Sequence, residues 1–295
     1  MIVVMGASGN TGKTVAEALL ARGQKVRVMG RDAGKLQAFA ARGAEVAAGD
    51  AGDPAYLARA FAGAESAYTL IPPDARVPDF RAHQDRVGEA TVKGLRQAGV
   101  KRVAFLSSVG ADLPAGTGPI AGLHAQEERL RALGGDVLLL RPGYFFENLY
   151  ANLPLIQHQG INGSAIAPDV KMSMIATRDI GAAAASALAA KDFSGVQVRN
   201  LLGPRDLTMV EVTRILGAKI GKPDLAYVQF PYEAFQGALE QAGLSKDLAQ
   251  LYVEMSRAFN AGIVKPVGGR TPASTTPTTF ESFAGELAAA FASGR

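Results

Sequence analysis

The amino-acid sequence predicts an α/β protein built on a doubly wound parallel sheet, followed by a smaller C-terminal α/β domain. Three observations carry this. The chain opens with MIVVMGASGNTGKTVAEALLARG, a short apolar run, a glycine-rich turn and an amphipathic stretch in direct succession. Apolar runs and helical periodicities then alternate to about residue 150, the pattern of strands joined by helices into a parallel sheet covered on both faces. Beyond that point the alternation stops and aromatic residues thicken.

Residues 1–5 read as a buried strand, too short and uncharged for a secretory signal. Val15, Ala18, Leu19 and Leu20 recur at helical spacing over residues 11–22, and Gly23 stands where a left-handed cap is usual. Between strand and helix lie Gly6, Gly9 and Gly12, three residues apart, with Ser8, Asn10 and Thr11 as short side-chain donors. Glycines at this spacing let the backbone turn tightly and approach a pyrophosphate, whose charge is met by free N–H groups at the helix start. Strand, loop and helix in this order make a Rossmann-type dinucleotide-binding unit.

The remaining elements of the first half follow in turn. Residues 25–30 form a second strand, 33–42 a helix, 45–48 a third strand and 55–61 another helix. SAYTLIPP is a fourth strand stopped by Pro72-Pro73, with Ile71 and Pro72 at its end assigned to the cofactor side. A long helix over 80–98 is closed by Gly99. RVAFLSSVGAD is a fifth strand running into a loop at Ser107-Ser108; after a helix over 125–133, DVLLLRPG is the sixth. Crossovers between parallel strands are right-handed. The nucleotide-binding domain is expected to take residues 1–150 plus about 172–202, and the substrate-binding domain 151–171 plus 203–295. In the latter, Thr208-x-x-Glu211 and Thr278-x-x-Glu281 read as capping boxes, and residues 268–279 as a turn-rich linker. Tyr227, Phe230, Tyr232, Phe235, Tyr252 and Phe259 divide between core and cleft.

Composition narrows the function. Of 295 residues, 48% are hydrophobic and 20% charged, the values of an ordinary enzyme, and no apolar run approaches the ~18 residues of a membrane span. The absence of cysteine excludes disulfides, thiolate metal sites and a cysteine nucleophile, and agrees with a cytoplasmic location. Three separated histidines leave no metal-ligand spacing, and no Gly-x-Ser-x-Gly elbow occurs. Net charge is only +4, and the basic residues are dispersed, which argues for a solvated surface rather than nucleic-acid binding. A monomer or homodimer is expected.

The end of the second strand speaks to cofactor identity. NAD-specific sites hold the ribose 2′-hydroxyl with a carboxylate there, whereas this chain has Gly30-Arg31. A small residue followed by a guanidinium leaves room for a 2′-phosphate and supplies a fork to bind it, with Lys35 placed to help; the expected cofactor is NADP(H). Asp32 competes: facing the ribose it would accommodate NAD, and otherwise it is a helix cap. Asp50 is placed to meet the adenine side of the cofactor, or serves as a turn residue in GDAGDP.

The segments VVMGASGNTGKTV, VRVMGRD, GVKRVAFLSSVGAD, LLLRPGYFFENL, ATRDIGAAAASAL and LTMVEVTRILGAKIGK together resemble the NmrA-like atypical short-chain dehydrogenases/reductases over nearly the whole chain. The resemblance implies a Rossmann domain, a smaller substrate domain and NADPH between them. It implies reduction of quinones, azo dyes or triphenylmethane dyes, or a cofactor-sensing regulatory role without catalysis. The Tyr-x-x-x-Lys of ordinary short-chain dehydrogenases is missing, because Ala60, Pro72, Asn148, Pro154, Pro231, Gln236 and Ser256 stand four residues after the seven tyrosines. Where the family pattern puts tyrosine and lysine, this chain has His124 and Glu128, which share a helix face. His83 and His158 read as structural.

Quinone reduction tolerates that loss, since hydride transfer gives a hydroquinone anion of phenol-like basicity, with a conjugate-acid pKa of about 10, which takes its proton from water or His124. Ser107 and Tyr144, with Phe145, follow the fifth and sixth strands where ligands bind in such sheets, so His124, Tyr144 and Ser107 are the catalytic candidates. Phe146, Glu147 and Asn148 lie at the domain junction. The expected partner is a small aromatic or quinone-like substrate. A sugar-nucleotide epimerase is disfavoured by the missing tyrosine and lysine.

Overall fold

The computed structural model describes residues 1–294. Its first half runs β1 (Ile2–Val4), α1 (Asn10–Ala21), β2 (Val26–Gly30), α2 (Gln37–Ala40), β3 (Glu45–Ala48), α3 (Pro54–Phe61), β4 (Ser66–Thr69), α4 (Phe80–Gln97), β5 (Arg102–Leu106), α5 (Ile120–Arg131) and β6 (Asp136–Pro142). The second half continues with β7 (Tyr144–Phe145), α6 (Leu153–Gln159), β8 (Ile161–Ser164), β9 (Met172–Ile175), α7 (Thr177–Ala190) and β10 (Val196–Leu201). It closes with β11 (Asp206–Leu207), α8 (Met209–Lys219), β12 (Ala226–Gln229), α9 (Tyr232–Gln241), α10 (Lys246–Asn260) and α11 (Phe280–Ala292). Among the described residues no helix is long and apolar enough to cross a membrane.

Seven strands form one parallel sheet in the order β10-β6-β5-β4-β1-β2-β3, the doubly wound arrangement with its switch point between β1 and β4. Successive side chains point to opposite faces of a strand, and here both faces are covered. Ile2 and Val4 pack towards α1 and α7, whereas Val3 and Met5 pack towards α3 and α4. Two small sheets, β11-β9-β7 and β12-β8, and a third core containing Phe146, Phe280 and Phe283 make up the C-terminal layer. Glu147 joins the layers by accepting hydrogen bonds from the Thr177 backbone N–H (3.0 Å) and hydroxyl (2.5 Å) at the start of α7; burial raises its carboxyl pKa.

Several elements differ from the sequence expectation, each for a local reason. The helix expected over 33–42 is a 3-10 turn, Gly34–Leu36, followed by the single turn α2, because the Asp32 carboxylate accepts from the Gly34 N–H (2.8 Å) and starts the segment as an Asx turn. α5 begins at Ile120, five residues before its expected start. Thr208 and Glu211 form the reciprocal capping box, but Thr278 does not cap α11. Its hydroxyl donates to Asp179 at 2.7 Å, and Thr279 caps the helix by accepting from the Ser282 N–H. Residues 268–279 are anchored rather than free: Leu202 exchanges backbone bonds of 2.7 Å with Ser274 and Thr276.

One buried ion pair holds α5 to the sheet. Glu127 on α5 is 1% exposed and accepts from Arg141 of β6 through Nε (2.8 Å) and Nη2 (2.6 Å), and from the Ser107 hydroxyl (2.5 Å). The hydrogen-bonded Glu127 carboxylate keeps the Arg141 pKa above its ordinary value. Removing one partner strands the other as an uncompensated buried charge. Glu127→Ala is expected to lower stability by about 3–5 kcal/mol in urea unfolding. A loss below about 1 kcal/mol would contradict the pair's structural weight.

Candidate active site

The C-terminal ends of β2, β1, β4, β5 and β6 open into one cleft of about 690 Å³. Strands lie roughly 4.8 Å apart, so the floor from β2 to β6 extends about 19 Å, a dinucleotide's scale. Arg31 stands at one end and Tyr144 at the other, with the glycine loop, Ile71, Pro72 and Ser107 between them.

The loop is tied on both sides: Met5 N–H donates to the Tyr68 carbonyl and Ala7 N–H to the Met29 carbonyl, each at 3.0 Å. Gly6 turns the chain back with φ of +65°. At Gly12 a Cβ would stand 2.3 Å from the Gly6 carbonyl oxygen, so α1 sits on the loop too closely for any side chain. Gly9 is different. A Cβ there would meet only the Gly6 oxygen, at an ordinary 3.4 Å, and Gly9 lines the cleft with Gly6, Ser8, Asn10 and Thr11. Packing within the chain does not require glycine at position 9, whose lack of a side chain leaves the loop open to close approach by a pyrophosphate from the cleft. No side chain caps α1 and no acidic residue occupies its first turn, so its free N–H groups and the positive end of its dipole face the cleft. This surface fits a pyrophosphate.

At the β2 end the competition between Arg31 and Asp32 has a geometric answer. Arg31 lines the cleft with its side chain 70% exposed, 3.9 Å from the Asp74 carboxylate across the mouth. Asp32 is spent on its Asx turn and is not among the lining residues. Two neighbouring assignments need correction. Lys35 lies exposed on the 3-10 turn, away from the cleft wall. Asp50 is the turn residue: its carboxylate accepts from the Gly52 N–H (2.9 Å) and Arg86 (3.2 Å), and these bonds lower its pKa, while its neighbours Gly49 and Ala51 line the cleft. Gly12 is not among the lining residues, and the place of its missing side chain is filled by the Gly6 carbonyl.

The other end is aromatic. Tyr144 meets the edge of Phe259 with ring centroids 6.2 Å apart, and Tyr252, Met255, Ile120 and Leu123 complete a largely apolar wall with Phe145 and Asn148 beside them. Burial raises the phenol pKa of both Tyr144 and Tyr252 above the ordinary value, so both stay protonated. The Ser107 hydroxyl is already engaged as a donor. Its hydroxyl hydrogen goes to the Glu127 carboxylate, an acceptor only, and any cleft contact of its oxygen is therefore as an acceptor.

His124 is the largest correction. It is not among the lining residues; its Nδ1 lies 2.9 Å from the Ala111 carbonyl, and no bond joins it to Glu128, which instead pairs with Arg131 at 3.1 Å. The helix phase turns Ile120 and Leu123 to the cleft and Glu127 to the core, leaving Glu128 at the surface. Sequence reasoning missed Met255 and Gln84, which no motif signals, while the aromatic grouping had pointed to Tyr252 and Phe259.

The sequence model of the NmrA-like family matches residues 1–284. The chain belongs to that family. It is 31% identical to an NAD(P)H azoreductase of Xenophilus azovorans over 99% of each chain, and 30% identical to quinone oxidoreductase 2 of Escherichia coli (strain K12) over 89% of each. Among solved structures it is similar to the NADPH-dependent quinone oxidoreductase of Escherichia coli in complex with NADPH, at 27% identity and a TM-score of 0.77 over 97% of this chain and 99% of that one. It also shares the fold of Citrobacter sp. triphenylmethane reductase, at 22% identity and a TM-score of 0.80 over 98% and 99%. The NmrA-like match thus runs beyond the quoted segments, from β1 into α11.

The contrast between two loop glycines is testable. Gly9→Val is expected to change stability by less than about 0.5 kcal/mol yet abolish dinucleotide binding, with NADPH as the probe. Gly12→Ala, forced against the Gly6 carbonyl, is expected to lose about 1–3 kcal/mol of stability. Urea unfolding and calorimetric titration read both; normal NADPH binding by Gly9→Val would refute the cradle.

Proposed function

We propose that this chain is an NADPH-dependent reductase of quinones or similar conjugated aromatic acceptors. The observation that carries this reading is the division of one cleft into two ends: a glycine loop with Arg31, and an aromatic chamber without a lining histidine. The named azoreductase and quinone oxidoreductase relatives support it. Gly6, Ser8, Gly9, Asn10 and Thr11 would hold the pyrophosphate and Arg31 the 2′-phosphate, with Ile71, Pro72, Ser107, Tyr144 and Phe145 walling the nicotinamide end. When bound, the cofactor supplies a hydride equivalent.

The chain's own contribution is proximity and orientation. Tyr144 and Tyr252 are weaker acids than a hydroquinone, whose pKa is near about 10, so neither drives proton transfer to it. Solvent suffices for phenol-like oxygens. An isolated ketone, which needs a strong positioned acid, finds none here. A pure cofactor sensor leaves the chamber formed by Tyr144, Tyr252 and Phe259 without a role, which favours the enzyme.

NADPH is expected to bind at least about tenfold more tightly than NADH, and Arg31→Ala to erase most of that difference, as one charge-assisted hydrogen bond contributes about 1.5–3 kcal/mol. Calorimetry with both cofactors decides, and equal affinities in the unaltered chain would defeat the assignment. His124→Ala is expected to change the single-turnover hydride-transfer rate by less than about threefold, against the 10²-fold or greater loss typical of a missing general acid. The raised phenols of Tyr144 and Tyr252 stay neutral well above pH 7, so the rate should be flat from about pH 6 to 9. A rate that falls with rising pH in the unaltered chain and loses this dependence in His124→Ala would restore the histidine as an acid.

A further inference from the structure

The aromatic end of the cleft carries two lysines, Lys171 and Lys265. Topology puts both far from Arg31. Lys171 immediately precedes β9, whose Met174 pairs with Tyr144 of β7. Lys265 follows Val264, whose Cγ1 would stand 3.2 Å from a Cβ on Gly110, in the loop after β5. The strand order places these positions at the β5–β6 end of the floor, opposite β2.

Among the described residues neither lysine has a carboxylate within 4 Å. The acidic groups around them are already engaged. Asp206, the carboxylate residue lining the cleft, accepts from Arg270 and from the Ser173 hydroxyl (3.0 Å). Glu211 caps α8 and pairs with Arg205 at 3.4 Å. Both lysines are exposed and neither is held in an ion pair, although Lys171 is near enough to Glu211 to act on its carboxylate; their charges stand at the rim of an aromatic wall, an arrangement that concentrates a field on a cleft. A neutral ring makes no use of them. Lysine, a point charge on a flexible stem, suits an anionic group whose position on a ring varies, where arginine's fork would demand one geometry.

We propose that the acceptor end selects aromatic compounds bearing a sulfonate or carboxylate, with Lys171 and Lys265 holding the anion while the ring lies against Tyr144, Tyr252 and Phe259. This rests on the reductase reading for its turnover but not for its binding. The test has two arms. In the first, calorimetry on the NADPH-loaded protein compares naphthalene-2-sulfonate with neutral 2-naphthol, for the unaltered chain and for Lys171→Gln, Lys265→Gln and the double variant. The sulfonate is expected to bind more tightly, and each substitution to lower the sulfonate-to-naphthol affinity ratio by about 3- to 10-fold, between an exposed ion pair and a charge-assisted hydrogen bond. In the second, kcat/KM is measured for 1,4-naphthoquinone and its 2-sulfonate, and the same fall in ratio is expected, with weaker salt dependence in the double variant.

An unchanged affinity ratio in the double variant would overturn the proposal, as would a matching loss of NADPH affinity, which would assign the lysines to the cofactor. If the sulfonate binds as expected but neither quinone is reduced, the anion site stands and the reductase reading falls.

Discussion

The ion pair between Glu127 and Arg141 is the constraint on which the acceptor side of this molecule depends. Arg141 is the penultimate residue of β6, and the chain beyond it supplies Gly143, Tyr144 and Phe145 to the cleft. Glu127 fixes the rotation of α5, so that Ile120 and Leu123 face the same space. Because the carboxylate also takes the Ser107 hydrogen, three segments that bound the cleft share one buried acceptor. Arg141 lies 3.7 Å from Asp112 as well, which draws the loop after β5 into the same arrangement. A pair of this kind adds little net stability relative to an apolar core, but it specifies one register, and here register means the position of Tyr144.

A second strut closes the opposite wall. The loop from β4 to α4 carries Asp74 towards Arg31 (3.9 Å) and Pro72 towards His83 (2.9 Å). Asp247, in the first turn of α10, accepts from the Phe80 N–H at 2.8 Å, and Ala75 accepts from the Ser245 N–H at 2.7 Å. The helix that supplies Tyr252, Met255 and Phe259 is thus bonded to the loop that borders the nucleotide end. The two ends of the cleft are set relative to each other by one side-chain and one backbone acceptor, an arrangement suited to holding a ring at a fixed distance from a second planar group.

The parts of this molecule legible in its sequence are those whose determinants are local. The opening strand, loop and helix are read correctly because tight turn, close approach and helix start all fall within about a dozen residues. Position 12 shows the limit of such a reading: spacing alone cannot separate a glycine demanded by a ligand from one demanded by a carbonyl 2.3 Å away. His124 fails in a similar way. Adjacent Glu127 and Glu128 differ in burial because of Arg141, fourteen residues away on a strand, and helical periodicity within α5 does not contain that partner. Thr278 and Thr279 both match a cap, and Asp179, ninety-nine residues earlier, decides between them. The aromatic chamber is the extreme case, since β6–β7, α5 and α10 meet there without a shared motif.

These placements bear on how a fold that ordinarily uses tyrosine and lysine works without them. In this chain α5 presents apolar side chains to the cleft at the place where a proton relay would stand, and the one carboxylate it turns inward is consumed by Arg141 and Ser107. Bringing that carboxylate into the cleft as a proton donor or acceptor would require breaking the buried pair, whose loss leaves an isolated charge. What remains open to variation is the wall, where aromatic residues of α10 shape the space left for an acceptor. In the proposed reductase, selectivity would reside in binding and orientation, and acceptors whose reduced form is stable as an anion until water protonates it would need no acid from the chain.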